Sequence, residues 1–158
     1  MPRSTQCRST AGVIAGALLV VVCSAVLVAA PDPTPVGTWK QFDDRKGDLR
    51  SIIRIEQVGE ELVGTIEQTF LRPNEPERPT CDVCPGEFKD KPIVGLRFLW
   101  GLKGNGRQWG GGRVLDPEDG KIYRVKLTLS DDGRKLEVRG YVGVSMFGRS
   151  QTWVRAEP

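Results

Sequence analysis

The chain has 158 residues, 23 lysines and arginines against 20 acids, and no histidine. That length fits one domain. Without an imidazole, Ser–His–Asp and Cys–His catalysis and every His-based metal site are excluded. Both basic residues of the first thirty, Arg3 and Arg8, lie near the start. The remainder is therefore close to neutral, which argues against a nucleic-acid groove.

The chain opens with that short basic tip, followed by an uncharged run rich in Val, Leu and Ala from Ala11 to Ala30. A basic tip, an apolar run and small residues at its end describe a secretory signal peptide. The run is also long enough to span a bilayer, so a retained anchor stays open, with membrane contact through residues 11–30 only. Cys23 follows the bulky Val22, which does not fit a lipoprotein site. Residues 1–30 are read as signal or anchor, 31–35 as a Pro-rich linker, and 36–158 as a single domain. Either reading places that domain outside the cytoplasm, in the periplasm or anchored facing it.

Beyond the linker no helical stripe appears, and short runs of β-branched and aromatic residues alternate with turn residues. The predicted strands are Val36–Phe42, Leu49–Gln57, Glu61–Phe70, Ile93–Trp100, Gln108–Leu115, Lys121–Leu129, Lys135–Val142 and Arg149–Arg155. Gly59-Glu60, Asp116-Pro117-Glu118-Asp119-Gly120 and Asp131-Asp132-Gly133 supply tight turns. Gly110-Gly111-Gly112 marks a bend in the fifth strand. Residues 71–92, with five prolines, form a long loop rather than a central strand. Eight strands in a meander leave two open edges unless the sheet closes on itself. The fold class is therefore all-β, an eight-stranded antiparallel up-and-down barrel. A β-sandwich would satisfy the same alternation.

In an oxidising compartment Cys81 and Cys84 should pair. A redox role at this spacing requires a βαβ context, which is missing, so a structural bridge across the proline-rich loop is the reading. Two cysteines without histidine make a poor zinc site, and the Asp116–Gly120 stretch is too short for a calcium loop. No metal and no cofactor is implied. Without a nucleophile–base set, the chain is read as a non-enzyme.

Gly37-Thr38-Trp39 resembles the opening Gly-x-Trp of lipocalin-like (calycin) barrels, where a basic residue of the last strand lies over the tryptophan at the closed end. The resemblance implies Trp39 and Arg155 as the closure pair, with Arg149 as second candidate. The domain as a whole is similar to the bacterial domain of unknown function 2147. The motifs that carry this are Gly37-Thr38-Trp39, Cys81-Asp82-Val83-Cys84-Pro85-Gly86, Ile93-Val94-Gly95-Leu96, the stretch Trp109–Tyr123, Arg139-Gly140-Tyr141 and Gly148–Arg155. The resemblance implies export in Gram-negative bacteria and a lipocalin-like barrel, with no activity to carry over.

Trp100, Trp109, Tyr123, Tyr141, Arg149 and Trp153 are the candidate ligand-cavity residues, set against the simpler alternative that aromatics fill the barrel. Arg97, Arg113 and Arg149 would meet a carboxylate or phosphate. Two roles follow. One is binding of a small apolar or amphipathic molecule, which requires a cavity on the order of 300 Å³ or more. The other is a structural or interaction role in the cell envelope, with a filled barrel.

Overall fold

The computed structural model describes residues 33–156. The segment read as signal or anchor lies outside them. Eight antiparallel strands form a closed barrel in sequence order. They are β1 (Gly37–Phe42), β2 (Leu49–Val58), β3 (Glu61–Thr69), β4 (Arg97–Asn105), β5 (Gln108–Leu115), β6 (Ile122–Leu129), β7 (Lys135–Tyr141) and β8 (Gly148–Arg155). The last pairs with the first through Trp39↔Arg155 and Lys40↔Val154, so no sheet edge is left open.

Alternation sets the two faces. Ser51, Ile53 and Ile55 of β2 are buried while Arg54 and Glu56 are exposed. Val125, Leu127 and Leu129 of β6, and Leu136 and Val138 of β7, repeat the pattern. Register brings the inward residues together: Ile55 opposite Gly64, Trp109 opposite Leu127, and Leu136 opposite Trp153. The glycine run predicted to bend β5 does so, since its register on β6 slips between Trp109 and Gly112. A second irregularity between β3 and β4 turns both Phe98 and Leu99 inward.

The fourth strand corrects the sequence reading. It begins at Arg97, not Ile93, and runs to Asn105. Ile93-Val94-Gly95-Leu96 is a turn, with the Leu96 amide donating to the Ile93 carbonyl and the Gly95 amide to the Ile66 carbonyl. Its apolar character arises because Leu96 is buried on the core and Ile93 packs against it. Strand pairing through Lys103↔Gly110 and Asn105↔Gln108 carries β4 across two glycines that sequence propensity disfavours.

The two ends of the barrel differ. One carries the short turns at Gly59-Glu60, Gly106-Arg107 and residues 130–134, together with the chain before β1 and after β8. The other carries residues 43–48, 70–96, 116–121 and 142–147. The long connection 70–96 contains a single 3-10 turn, Gly86–Phe88, and folds back against the outside of β4. No helix among the described residues is long and apolar enough to cross a membrane.

Candidate functional site

At the turn end the barrel is plugged. Trp39 is fully buried and its Nε1 donates to the Pro35 carbonyl at 2.8 Å. The Arg155 guanidinium lies 4.3 Å over the Trp39 ring. Its nitrogens donate to the carbonyls of Gly133 (2.7 Å), Val36 (2.9 Å) and Thr34 (2.7 Å). Burial makes the charged form of Arg155 less favourable, and these carbonyls and the ring face offset that cost. Gly37 belongs to the same device. It sits at φ 135°, and a Cβ there would lie 2.7 Å from Arg155 Nη1. The Gly-x-Trp pattern thus has a steric cause: only glycine lets the arginine cross the strand and reach the indole.

Above the plug the lumen is occupied by side chains. Trp153 packs against Phe98 with ring centroids 6.2 Å apart, and Trp109 donates its indole N–H to the Gly106 carbonyl at 3.2 Å. Toward the loop end the filling turns polar. Ser51 Oγ donates to Gln41 Oε1 at 2.6 Å, and Gln41 Nε2 donates to Gln151 Oε1 at 3.3 Å. Gln151 Nε2 reaches Asp44 at 3.4 Å, and Arg149 donates to the same carboxylate at 2.6 and 3.1 Å. Across the mouth, Tyr123 donates to Asp119 at 2.7 Å, and that carboxylate, with some burial, pushes the phenol up to about 12. Tyr123 is therefore neutral at physiological pH and serves as a hydrogen-bond donor.

The predicted cavity residues are not brought together. Trp109 and Trp153 are buried in the lumen. Tyr123 and Arg149 stand at its mouth. Tyr141 sits on the outer wall, in register with the outward Arg124. Trp100 also points outward, opposite Arg113, and stacks on Phe88 with centroids 5.4 Å apart. The reading of these six as one lumen lining is corrected: half-turn slips at the bulges and simple alternation send Trp100 and Tyr141 to the other face.

Two concavities accompany the loops. One, of about 440 Å³, lies at the rim between residues 46–49 and 70–73. The second, of about 530 Å³, lies outside the barrel wall, where Phe88, Pro92, Leu96 and Trp100 form an apolar floor and the charged residues of the lining are Lys91, Arg97 and Glu87. Neither includes a residue of the lumen. The groove depends on the long connection being held in place. Cys81 and Cys84 are bridged and buried. Thr80 pairs with Pro92, and the Cys81 amide donates to the Lys91 carbonyl at 2.8 Å. The bridged segment docks on the β5–β6 turn at Gly120, where φ is +70° and a Cβ would meet the Val83 carbonyl oxygen at 2.0 Å. Among the described residues no cluster of three or more Cys, Asp or Glu is placed to hold a metal ion.

A family model described as an uncharacterized protein conserved in bacteria, DUF2147, matches residues 37–155. The chain belongs to this family. No curated protein matches it. A solved structure that it resembles is protein HP1028 from the human pathogen Helicobacter pylori, whose title places it in the lipocalin family. The TM-score is 0.66 at 18% identity, over 77% of this chain and 82% of that one. At that identity the likeness shows the fold, a lipocalin-like barrel.

In this DUF2147 barrel the groove residues Phe88, Lys91 and Leu96 were not singled out from the sequence. The available signal was the apolar Ile93–Leu96 run beside Arg97, which reads as a strand when alternation is the only guide.

Proposed function

We propose that this chain is an exported, non-enzymatic binding protein that holds a small amphipathic molecule with an anionic head. The binding place is the groove between the long connection and β4. The observation that carries this reading is the groove's make-up: a volume of about 530 Å³, stacked Phe88 and Trp100 on its floor, and the cations Lys91 and Arg97 against the acid Glu87 in its lining. Its size falls in the usual range for small-ligand sites, and a few polar groups around an apolar floor are what such sites present. The family and the lipocalin-like fold support a binding role over catalysis. The basic tip and apolar run ahead of the domain support export, and the bridged Cys81–Cys84 pair supports an oxidising compartment such as the periplasm.

This reading puts the ligand outside the wall, where the interior cavity expected for a binding barrel would have put it inside; the side chains that occupy the lumen support that choice. The occupied lumen also favours a second reading, an envelope component with a working outer surface, because a filled barrel can act only through its exterior.

Native mass spectrometry of protein gently purified from its own compartment tests the first reading. An adduct released on denaturation is expected, and dodecanoate should rebind saturably with a change in tryptophan emission. Trp39, Trp109 and Trp153 are buried, so Trp100 is the reporter. Trp100→Ala, titrated by native mass spectrometry because it removes the reporter, should lower affinity about tenfold or more, and Arg97→Glu should do so comparably for an anionic ligand. A bare polypeptide mass with no saturable dodecanoate response would remove the binding reading and leave the envelope role.

A further inference from the structure

The outer wall beside the loop end carries a charge pattern that hydrogen bonds within the fold explain only in part. Strands β4–β7 bear Arg97, Lys103, Arg113, Arg124, Lys126, Lys135 and Arg139 against a single acid, Glu137. Register places Arg113 directly opposite Arg124, and Lys126 directly opposite Arg139, on the outward face. Like charges facing each other across a ladder destabilise a sheet. Among the described residues none of these four cations has a carboxylate partner within ion-pair distance. Glu137 takes the Ser150 hydroxyl on the β8 side. The acids of the next turn are engaged locally, Asp116 by the Glu118 amide and Asp119 by Tyr123 and Lys121.

The β7–β8 connection rises from this wall. Its side chains Val142, Val144, Met146 and Phe147 are 69%, 61%, 79% and 73% exposed. Its backbone is held by the same cations. Arg139 donates to the carbonyls of Ser145 (2.7 Å) and Met146 (3.1 Å), and Arg124 to that of Gly143 (3.4 Å). The arginines satisfy the loop's carbonyls and thereby present a preformed apolar tip to solvent. Four apolar side chains at such exposure within one six-residue connection are a concentration of the kind that marks an interaction site.

We propose that this face docks on an anionic lipid surface. Val142, Val144, Met146 and Phe147 enter the boundary between headgroups and acyl chains, while Arg113, Arg124, Lys126 and Arg139 meet the lipid phosphates. Phosphates between the facing cations relieve the like-charge repulsion that the isolated barrel retains. An apolar tip flanked by basic side chains is the pattern of interfacial membrane binding. A soluble polyanion would use the cations and leave the tip in water. The proposal stands apart from the groove reading, since none of these eight residues lines that groove.

The test uses residues 31–158, so that the leading apolar run cannot bind lipid itself. The barrel closes on its own strands and fills its lumen with its own side chains, so this piece folds alone. Vesicles of phosphatidylglycerol and phosphatidylethanolamine should sediment the protein, and phosphatidylcholine vesicles should not. Raising the salt should release it. Met146→Asp with Phe147→Asp should weaken partitioning about tenfold or more. Arg113→Gln and Lys126→Gln should each weaken it about fivefold. These side chains are exposed or half-exposed, so circular dichroism should be unchanged. Failure to sediment with the anionic vesicles overturns the proposal. So does sedimentation that the tip variants leave unaltered, or equal retention of wild type and tip variant on heparin with no vesicle preference, which would point to a soluble polyanion. Groove variants such as Trp100→Ala should leave vesicle binding intact, which separates the two readings.

Discussion

At the scale of single residues, the barrel's closure rests on Arg155. One guanidinium meets an indole face and three backbone carbonyls that belong to two separate segments: the chain before β1, through Thr34 and Val36, and the β6–β7 turn, through Gly133. Removing the side chain leaves the part-buried Gly133 and Val36 carbonyls without their partner, which costs more than a lost surface contact, while the exposed Thr34 carbonyl can turn to water. Arg155→Ala should therefore destabilise the protein by roughly 2–4 kcal/mol. Lysine should restore only part of this, because its ammonium cannot reproduce the planar fork. Urea unfolding followed by tryptophan emission measures the difference, and a loss below about 0.5 kcal/mol, typical of an ordinary surface substitution, would refute the role. The pair Trp39–Arg155 was legible in the sequence through its likeness to lipocalin-like barrels. The reason for Gly37 was not, because it depends on how close the arginine passes.

At the scale of elements, the connection between β3 and β4 is the least regular part of the barrel and the part with most ion pairs at its base. Arg50 of β2 holds Glu75 by two hydrogen bonds of 2.7 and 2.6 Å and also donates to the Phe70 carbonyl. Arg72 binds Asp43 and Asp48 of the β1–β2 loop. Arg50 first, then the Arg72 amide, lowers the Glu75 carboxyl from 4.5 to about 2. The amide of Lys46, then the Arg72 side chain, lowers Asp43 from 3.8 to about 2. Both groups are more acidic folded than unfolded. Their contribution is thus complete above the ordinary carboxylate values and is lost as the pH falls through about 2. Between pH 4.5 and 2 the base of the connection should loosen while the barrel persists. Pepsin, active across that range, should cut at Phe70-Leu71 increasingly as the pH drops, and Glu75→Gln should be cut readily already at the upper end. Equal cleavage of both proteins at every pH would rule the clasp out.

The same element shows where sequence reading stopped. Five prolines and a Cys pair mark residues 71–92 as a loop, and turn chemistry gives the other connections to within a residue or two, except that between β4 and β5, where the strand runs past the expected Trp100 to Asn105. The start of β4 was missed because apolar residues at 93–96 satisfy burial in a turn as well as in a strand. The groove was missed with it. Phe88 and Trp100 lie twelve positions apart and meet only because the connection folds back onto the wall. No period along the chain encodes that contact. The outward Trp100 on β4 likewise looks the same as an inward aromatic until the irregularity between β3 and β4 fixes its face, whereas Tyr141 on β7 follows plain alternation with Glu137 and Arg139.

At the scale of the whole molecule, alternation made the closed barrel readable, but the seam that closes it is the thinnest part. β1 and β8 share two register pairs, Trp39↔Arg155 and Lys40↔Val154, whereas β7 and β8 share seven. Beyond these, the seam is held by the Ala156 amide donating to the Thr38 carbonyl at 2.9 Å and by side-chain contacts, Gln41 with Gln151, Arg155 with the Val36 carbonyl and Arg149 with Asp44. Opening there disrupts little of the ladder, so it should be the lowest-energy partial unfolding of the barrel. Native-state hydrogen exchange should find the Ala156 amide less protected than those of Leu127 and Val138 in the β6–β7 ladder. Joining the seam with Lys40→Cys and Val154→Cys should bring its protection up toward that of the ladder. Because the new bridge closes a loop of more than one hundred residues, it should also raise global stability by up to about 4–5 kcal/mol. Equal protection of Ala156 and the ladder amides in the parent protein would mean that the Arg155 clamp alone makes the seam as firm as the rest, and unfolding would then have to begin at the loop end.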